Sequence, residues 1–212
     1  MAEFFEARLD SYEEHMFTIE GARKFYPYTS SLLPRHPSAR ILDLGCGTGL
    51  ELEEYFRLAP DAAVTAVDLS EKCLEIVRKR FRVYNVTTIC TNFFEFPFEE
   101  STYDAVVSVE AMHHYPREVK TALYANILCS LKHGGFFILT DYLVLTYAEE
   151  RAAAEAARPR IEAAGADPGV IWHIDIPMTV SHEAEILLAA GFPLVERMET
   201  WGSTTCLKAT KP

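Results

Sequence analysis

Strand-like and helix-like patterns alternate along most of this chain of 212 residues, and this alternation is the feature that most limits its fold. Short runs rich in β-branched and aromatic residues indicate buried strands, because each is followed by a turn signal and most are separated by helical patterns. Such alternation predicts an α/β fold with a doubly wound, Rossmann-like sheet that is mostly parallel and has helices on both faces. The runs are RILDLG (40–45), AVTAVDLS (63–70), VTTICTNFF (86–94), YDAVVSVEA (103–111) and GFFILTDYLV (135–144).

Helical patterns fill the gaps between these runs. The segments 50–59 and 70–81 have helical spacing, and Ser70 is placed to cap the second of them. The pattern PREVKTALYANILCSLKHGG (116–135) begins with a proline and ends with two glycines, which predicts a helix that stops at the glycines. After a last helical pattern at 181–192, two strand-like runs are joined only by Gly202 and Ser203. Such a tight connection predicts an antiparallel pair, which completes a seven-stranded sheet.

No linker, repeat or low-complexity tract divides the chain. We therefore expect one domain over residues 1–212. Within it, residues 1–37 read as an N-terminal helical lid and 38–143 as the ligand-binding core. Residues 144–180 read as an inserted helix and loop over the site, and 181–212 as the C-terminal helix and strand pair.

The first strand is followed by a loop in which Gly45, Gly47 and Gly49 alternate with other residues. In a doubly wound sheet the ligand lies outside the carboxyl ends of the strands, and the turn after the first strand forms its floor. Glycines allow the sharp bend and the close approach of a ligand to the backbone. The next strand ends in Asp68, whose carboxylate can accept from both hydroxyls of a ribose. A nucleoside ligand is therefore expected.

The glycine spacing selects among nucleosides. The dinucleotide fingerprint is G-x-G-x-x-G, whereas here the third position after Gly47 is Leu50, which makes an NAD-linked dehydrogenase the weakest of the alternatives. The following helix adds Glu51, Glu53 and Glu54, an unfavourable setting for a diphosphate but a favourable one for a ligand with a positive centre.

The sequence LDLGCGTG followed by VDLS resembles the first two motifs of the class I S-adenosylmethionine-dependent methyltransferases. The resemblance extends from about residue 38 to the C-terminus. The resemblance implies S-adenosyl-L-methionine as the cofactor and methyl transfer to a small molecule as the reaction. By resemblance, the amino-acid end of the cofactor is held by Asp43 and the backbone of Gly45, Cys46 and Gly47. The ribose is bound by Asp68, and the adenine is contacted by Leu69, Asn92 and Phe93.

The resemblance also places the segment EAMHHY beside the methyl group, so Glu110, His113 and His114 are the candidate catalytic residues, with Glu110 also under the cofactor's methionine. Methyl transfer from a sulfonium relies mainly on alignment and requires a base only when the nucleophile must lose a proton; it needs no metal. Either histidine could instead only cap or pack. Candidate substrate residues are Tyr12, Asp141, Trp172 and His173, each of which could alternatively be a packing or capping residue.

The composition of the chain limits the classes of molecule that it is expected to bind. A net charge of −11 without a basic run argues against nucleic acid, and no segment is apolar and long enough to be a membrane span. Five scattered cysteines without a C-x-x-C pair argue against a zinc site and for reduced thiols. The sequence thus predicts a cytoplasmic monomer or homodimer that acts on a small molecule.

Two other functions stay open. The C-terminal part also resembles the carboxy-S-adenosylmethionine synthases, which modify the cofactor itself and hold a carboxylated substrate with an arginine; Arg158 and Arg160 lie in the corresponding region. The chain could also be a cofactor-binding regulatory module without turnover. Release of S-adenosylhomocysteine would separate an enzyme from such a module.

Overall fold

The computed structural model describes residues 9–164 and 174–212. Seven strands form one sheet in the order β3-β2-β1-β4-β5-β7-β6. The strands are β1 Arg40–Leu44, β2 Ala63–Asp68, β3 Asn85–Cys90, β4 Tyr103–Val109, β5 Leu131–Tyr142, β6 Leu194–Trp201 and β7 Thr204–Thr210. The helices are α1 Leu9–Met16, α2 Ala22–Leu32, α3 Leu50–Leu58, α4 Glu71–Arg80, α5 Arg117–Ser130, α6 Tyr147–Ala164 and α7 Val180–Ala189, with a 3₁₀ turn at Met112–His114.

The first five strands run parallel, and β7 pairs antiparallel with both β5 and β6. This confirms the predicted Rossmann-like sheet with an antiparallel C-terminal pair. Neighbouring residues of β1 face opposite sides, since Ile41 packs in one buried cluster with Phe25 and Phe56, and Leu42 packs in the other with Tyr124. Both sides of a parallel strand are covered in this way, which is why these runs are continuously apolar.

One predicted boundary is wrong. The helix that the sequence extends to the glycines at 134 and 135 ends at Ser130, and β5 already begins at Leu131. Leu131 pairs with Tyr103 of β4, and the register then shifts before Ala105 pairs with Phe136. Pairing with a neighbouring strand therefore overrides the local stop signal, and the glycines lie inside an irregular strand instead of after a helix.

A buried ion pair joins α5 to α7. Lys120 Nζ lies 2.8 Å from Glu183 Oε2, and both side chains are fully buried. The Tyr124 hydroxyl donates a hydrogen bond to the other oxygen of the Glu183 carboxylate. The three groups satisfy one another, so removal of one partner leaves a buried charge without compensation.

Lys120→Ala is accordingly expected to lower the free energy of unfolding by about 3–5 kcal/mol, measured by urea denaturation. Lys132→Ala is the matched control, because Lys132 pairs with Asp104 at 2.8 Å while its own side chain is 37% exposed. The control should cost no more than about 1 kcal/mol. Equal losses of unfolding free energy in the two variants would show that the buried pair contributes no more to stability than the exposed pair.

Among the residues described, no helix combines the length and the apolar character that a membrane crossing requires. The carboxyl ends of β1, β2, β4 and β5 meet at one edge of the sheet, and the candidate site lies at this edge.

Candidate active site

The loop after β1 can be built only with glycine at its key positions. Gly45, Gly47 and Gly49 have φ values of 76°, 49° and 76°, in the left-handed region that side chains disfavour. A Cβ on Gly47 would lie 2.8 Å from the Tyr12 hydroxyl oxygen, and one on Gly45 would lie 2.8 Å from the Ala111 Cβ. The loop is thus a backbone cradle whose open side faces the residues at 110–115 and helix α1.

Asp68 fixes the shape of this cradle from the end of β2. Its carboxylate accepts hydrogen bonds from the backbone N–H of Gly47 at 2.9 Å and of Ser70 at 2.8 Å. The predicted cap is present, since Ser70 Oγ accepts from the Cys73 N–H at 3.2 Å at the start of α4. Burial raises the pKa of Asp68, and the backbone N–H groups oppose this increase.

A cavity of about 650 Å³ lies above the loop. This volume is typical of a small-molecule or cofactor site. The structure brings many of the residues predicted from the sequence into its wall: Tyr12, Gly45, Gly47, Asp68, Leu69, Phe93, Glu110, His113 and His114.

Other predicted residues lie outside the cavity wall. Asp43 and Cys46 are buried beneath the loop, and burial together with the charge of Glu51 raises the pKa of Asp43. The Asn92 side-chain oxygen accepts from the Phe94 N–H at 3.1 Å, within its own turn. Asp141 is fully buried behind His113. Trp172 and His173 fall outside the described residues.

Helix α1 covers one side of the cavity, where Ser11, Tyr12, His15 and Met16 contribute to the wall. Arg80 holds this helix in place: its guanidinium lies 2.6 Å from Glu13 Oε1 and donates to the Thr48 carbonyl oxygen at 3.1 Å. The N-terminal helix is therefore clamped to the glycine loop that it covers.

Some cavity residues could not be found from sequence reasoning. Thr204 and Tyr142 line the cavity and are direct partners across β5 and β7. Their juxtaposition depends on the register of two strands that are distant in sequence, and no local pattern specifies such a register. Asp175, which follows the candidate substrate residues Trp172 and His173 in the sequence, also lines the wall.

Glu110 stands at the end of β4 with a φ of 51°, an uncommon conformation for a residue other than glycine. Its Oε1 accepts a hydrogen bond from the Thr204 hydroxyl at 2.8 Å. Burial raises the pKa of Glu110 to about 7, with His113 acting to lower it and Asp141 to raise it. The carboxyl group therefore changes its charge near neutral pH.

His113 is oriented by Asp141. Its Nδ1 lies 2.6 Å from Asp141 Oδ1, and because a carboxylate only accepts, Nδ1 carries the proton. The other ring nitrogen, Nε2, lies 3.6 Å from Asp175 Oδ1. Burial lowers the pKa of His113, but Asp141, Glu110 and Asp175 together outweigh burial and raise it above its ordinary value.

His114 lies beside His113, with a distance of 4.0 Å between the ring centroids. Its Nδ1 is 3.2 Å from the same Asp175 oxygen. Burial and then the charge of His113 lower the pKa of His114, although Asp175 opposes this. The two histidines thus converge on one carboxylate oxygen at the cavity wall.

Comparison with known proteins agrees with this geometry. Residues 41–135 match the family described as a methyltransferase domain. A carboxy-S-adenosyl-L-methionine synthase from Campylobacter fetus is 27% identical over 188 residues, covering 82% of this chain and 78% of the relative. A malonyl-[acyl-carrier protein] O-methyltransferase from Bacillus cereus is 33% identical over 121 residues, covering 57% of this chain and 44% of the relative. The chain thus spans less than half of that second protein.

Solved structures share the fold. Phosphoethanolamine N-methyltransferase 2 of Haemonchus contortus, in complex with S-adenosyl-L-methionine, superposes with a TM-score of 0.63 at 22% identity, covering 84% of this chain and 39% of that one. A cyclopropane synthase of Mycobacterium tuberculosis superposes with a TM-score of 0.64 at 20% identity, covering 84% and 62%.

The fit of the site to the cofactor rests on the chain itself. The glycine cradle would be filled by any Cβ at Gly45 or Gly47, and Asp68 lies in the cavity wall at the end of the next strand. The seven-stranded sheet, this cradle and the match of residues 41–135 to a methyltransferase domain all agree: the chain is similar to the class I methyltransferases, whose cofactor is S-adenosyl-L-methionine.

Proposed function

We propose that this chain transfers a methyl group from S-adenosyl-L-methionine to a small organic molecule bound in the same cavity. The observation that carries the proposal is the continuity of one cavity wall. It runs from the glycine loop and Asp68 to Glu110, His113 and His114. A cofactor site and an acceptor site can therefore share one cavity, as an in-line transfer requires.

The cofactor side of the proposal follows the glycine loop. The backbone of Gly45, Cys46 and Gly47 would hold the amino-acid end, with Asp43 supporting the loop from beneath. Asp68 would accept from the ribose hydroxyls, and the apolar side chains of Leu69 and Phe93 would contact the adenine, with Asn92 shaping that turn. When bound, the cofactor supplies a methyl group already activated by its sulfonium.

The acceptor side lies at the histidine pair. Tyr12 covers the cavity from α1, and Asp141 acts through His113, whose ring it orients. If the acceptor molecule must lose a proton, we assign Glu110 as the base that takes it up, because both imidazoles are already engaged by carboxylates. Burial and alignment by this wall would exclude water and position the reacting atoms.

The proposal is tested by incubating the purified chain with S-adenosyl-L-methionine and a library of small alcohols, phenols and amines, and measuring S-adenosylhomocysteine. Asp68→Ala should weaken cofactor binding by about 1–3 kcal/mol, since a charged acceptor is removed. Asp61→Ala is the control, because Asp61 is exposed in the turn before β2 and should have no effect. Tight binding of the cofactor without turnover of any compound would instead support a regulatory module.

The second candidate is an enzyme that modifies the cofactor. The carboxy-S-adenosyl-L-methionine synthase from Campylobacter fetus matches this chain over 78% of its own length. Against it, the described residues that line the cavity include no Lys or Arg to hold a carboxylate. Arg158 and Arg160 are exposed on α6 and are not part of the wall. Mass spectrometry would decide, because a carboxylated cofactor product would replace S-adenosylhomocysteine.

A further inference from the structure

The geometry points to a site for a divalent transition-metal ion formed by His113, His114 and Asp175 at the wall of the cavity. One ligand atom from each of these residues lies within 4.8 Å of the others. The inference goes beyond methyl transfer, because it concerns a cation that neither the cofactor nor the reaction requires. No spacing motif in the sequence indicates it, since two adjacent histidines meet a carboxylate from a distant segment.

The distances suit tetrahedral coordination. Asp175 Oδ1 lies 3.6 Å from His113 Nε2 and 3.2 Å from His114 Nδ1. Zinc bonds to nitrogen and oxygen of about 2.0–2.2 Å place neighbouring tetrahedral ligands about 3.4 Å apart. The two histidine nitrogens therefore already lie close to the separation from Asp175 Oδ1 that one bound ion would impose.

The donor types select the ion. Two imidazoles and one carboxylate suit zinc, cobalt, nickel or ferrous iron, whereas calcium and magnesium prefer a shell of oxygen ligands. The lack of a C-x-x-C pair argues only against a thiolate zinc site, and these ligands include no cysteine.

The surroundings of His113 match those of a metal-bound histidine. Its Nδ1 donates to Asp141 Oδ1 at 2.6 Å, so Nε2, which lies 3.6 Å from Asp175 Oδ1, is the nitrogen that would bind an ion. Asp141 is itself held by the Tyr142 N–H at 2.9 Å. A carboxylate that orients the second nitrogen of a ligating imidazole is the usual outer partner of such a ligand.

The segment that carries Asp175 is also anchored to the histidine turn. The Ile176 N–H donates to the His113 carbonyl oxygen at 2.9 Å, and the Val144 N–H donates to the Met178 carbonyl oxygen at 2.9 Å. The residues that directly follow the third ligand are thus held by backbone hydrogen bonds to the histidine turn and to the segment after β5, which keeps Asp175 beside the two imidazoles.

The local charge favours a cation. Glu110, Asp141 and Asp175 surround the two imidazoles, and no Lys or Arg lies in the cavity wall within residues 9–164 and 174–212. An ion there would offset this excess of carboxylates, and its remaining coordination position would face the cavity. An oxygen of an acceptor molecule bound at that position would become more acidic, next to Glu110.

The test is direct binding to the full chain without cofactor. Protein stripped by a chelator is titrated with Zn²⁺ in a calorimeter and with Co²⁺ while the visible absorption is recorded. We expect one equivalent to bind. Asp175→Asn and His114→Gln should each weaken binding at least tenfold and reduce the Co²⁺ absorption. Asp175 is 55% exposed, so its variant should fold normally.

His182→Gln is the matched control. His182 also pairs with an acid, Glu150, at 2.7 Å between Nδ1 and Oε1, but it does not line the cavity. Its variant should bind the ion like the wild type. Absence of stoichiometric binding by the wild type would overturn the site, as would unchanged affinity in Asp175→Asn and His114→Gln. Neither result depends on whether the chain transfers methyl groups.

Discussion

Gly47→Ala is expected to lower the affinity for S-adenosyl-L-methionine at least 100-fold, about 2.7 kcal/mol. The φ of 49° at this position strains any residue with a side chain, by about 1–2 kcal/mol. The added Cβ would also lie 2.8 Å from the Tyr12 hydroxyl oxygen, so the Tyr12 side chain, helix α1 or the loop must move. Calorimetric titration with S-adenosyl-L-methionine and S-adenosylhomocysteine measures the loss.

Gly134→Ala separates the effect on the site from the general cost of a left-handed residue. Gly134 has a φ of 72°, and its added Cβ would meet no atom within 4 Å. It lies outside the cavity wall, so this variant should bind the cofactor like the wild type while being slightly less stable. Wild-type affinity in Gly47→Ala would mean that the loop does not hold the cofactor.

The fold was largely predictable because parallel strands carry their signal locally. A strand such as β1 is buried on both faces, and its continuous apolar residues Ile41 and Leu42 are visible in the sequence. The antiparallel β6–β7 pair followed from the length of its turn alone. The start of β5 was not predictable, because Leu131 is extended through its pairing with Tyr103.

The position of the proposed cofactor side could also be predicted from the sequence. Gly47 and Asp68 follow adjacent parallel strands, and the carboxyl ends of such strands share one edge, so the loop and the acid had to meet.

The contacts of the proposed acceptor side could be found only from the structure. The contacts of His113 with Asp141, of Glu110 with Thr204 and of His114 with Asp175 join segments separated by 28 to 94 residues. The registers of β5 against β4 and β7 and the position of the described residues from 174 onward determine these contacts. Both are set by the packing of the whole molecule, for which a single sequence contains no local signal.

Glu110→Gln is expected to lower kcat by about 10²–10⁴ with the first acceptor that the library yields, if that acceptor carries a proton to be lost. Glutamine keeps the size of the side chain and an oxygen that can accept a hydrogen bond from the Thr204 hydroxyl. In the wild type this hydroxyl lies 2.8 Å from Glu110 Oε1. Only the capacity to take up a proton is removed. Steady-state kinetics at saturating cofactor give kcat, and calorimetry gives the cofactor affinity.

The two readouts distinguish the roles open to Glu110. A loss of kcat with unchanged cofactor affinity supports the proton acceptor, whereas a loss of affinity with unchanged kcat would assign Glu110 to the amino-acid end of the cofactor. Thr204→Val is the companion variant: it removes the hydroxyl donor but leaves the carboxylate, so it should reduce kcat less than Glu110→Gln. If neither readout changes in Glu110→Gln, the proton must leave through another group. His114 would then be tested next, because burial and the charge of His113 lower its pKa.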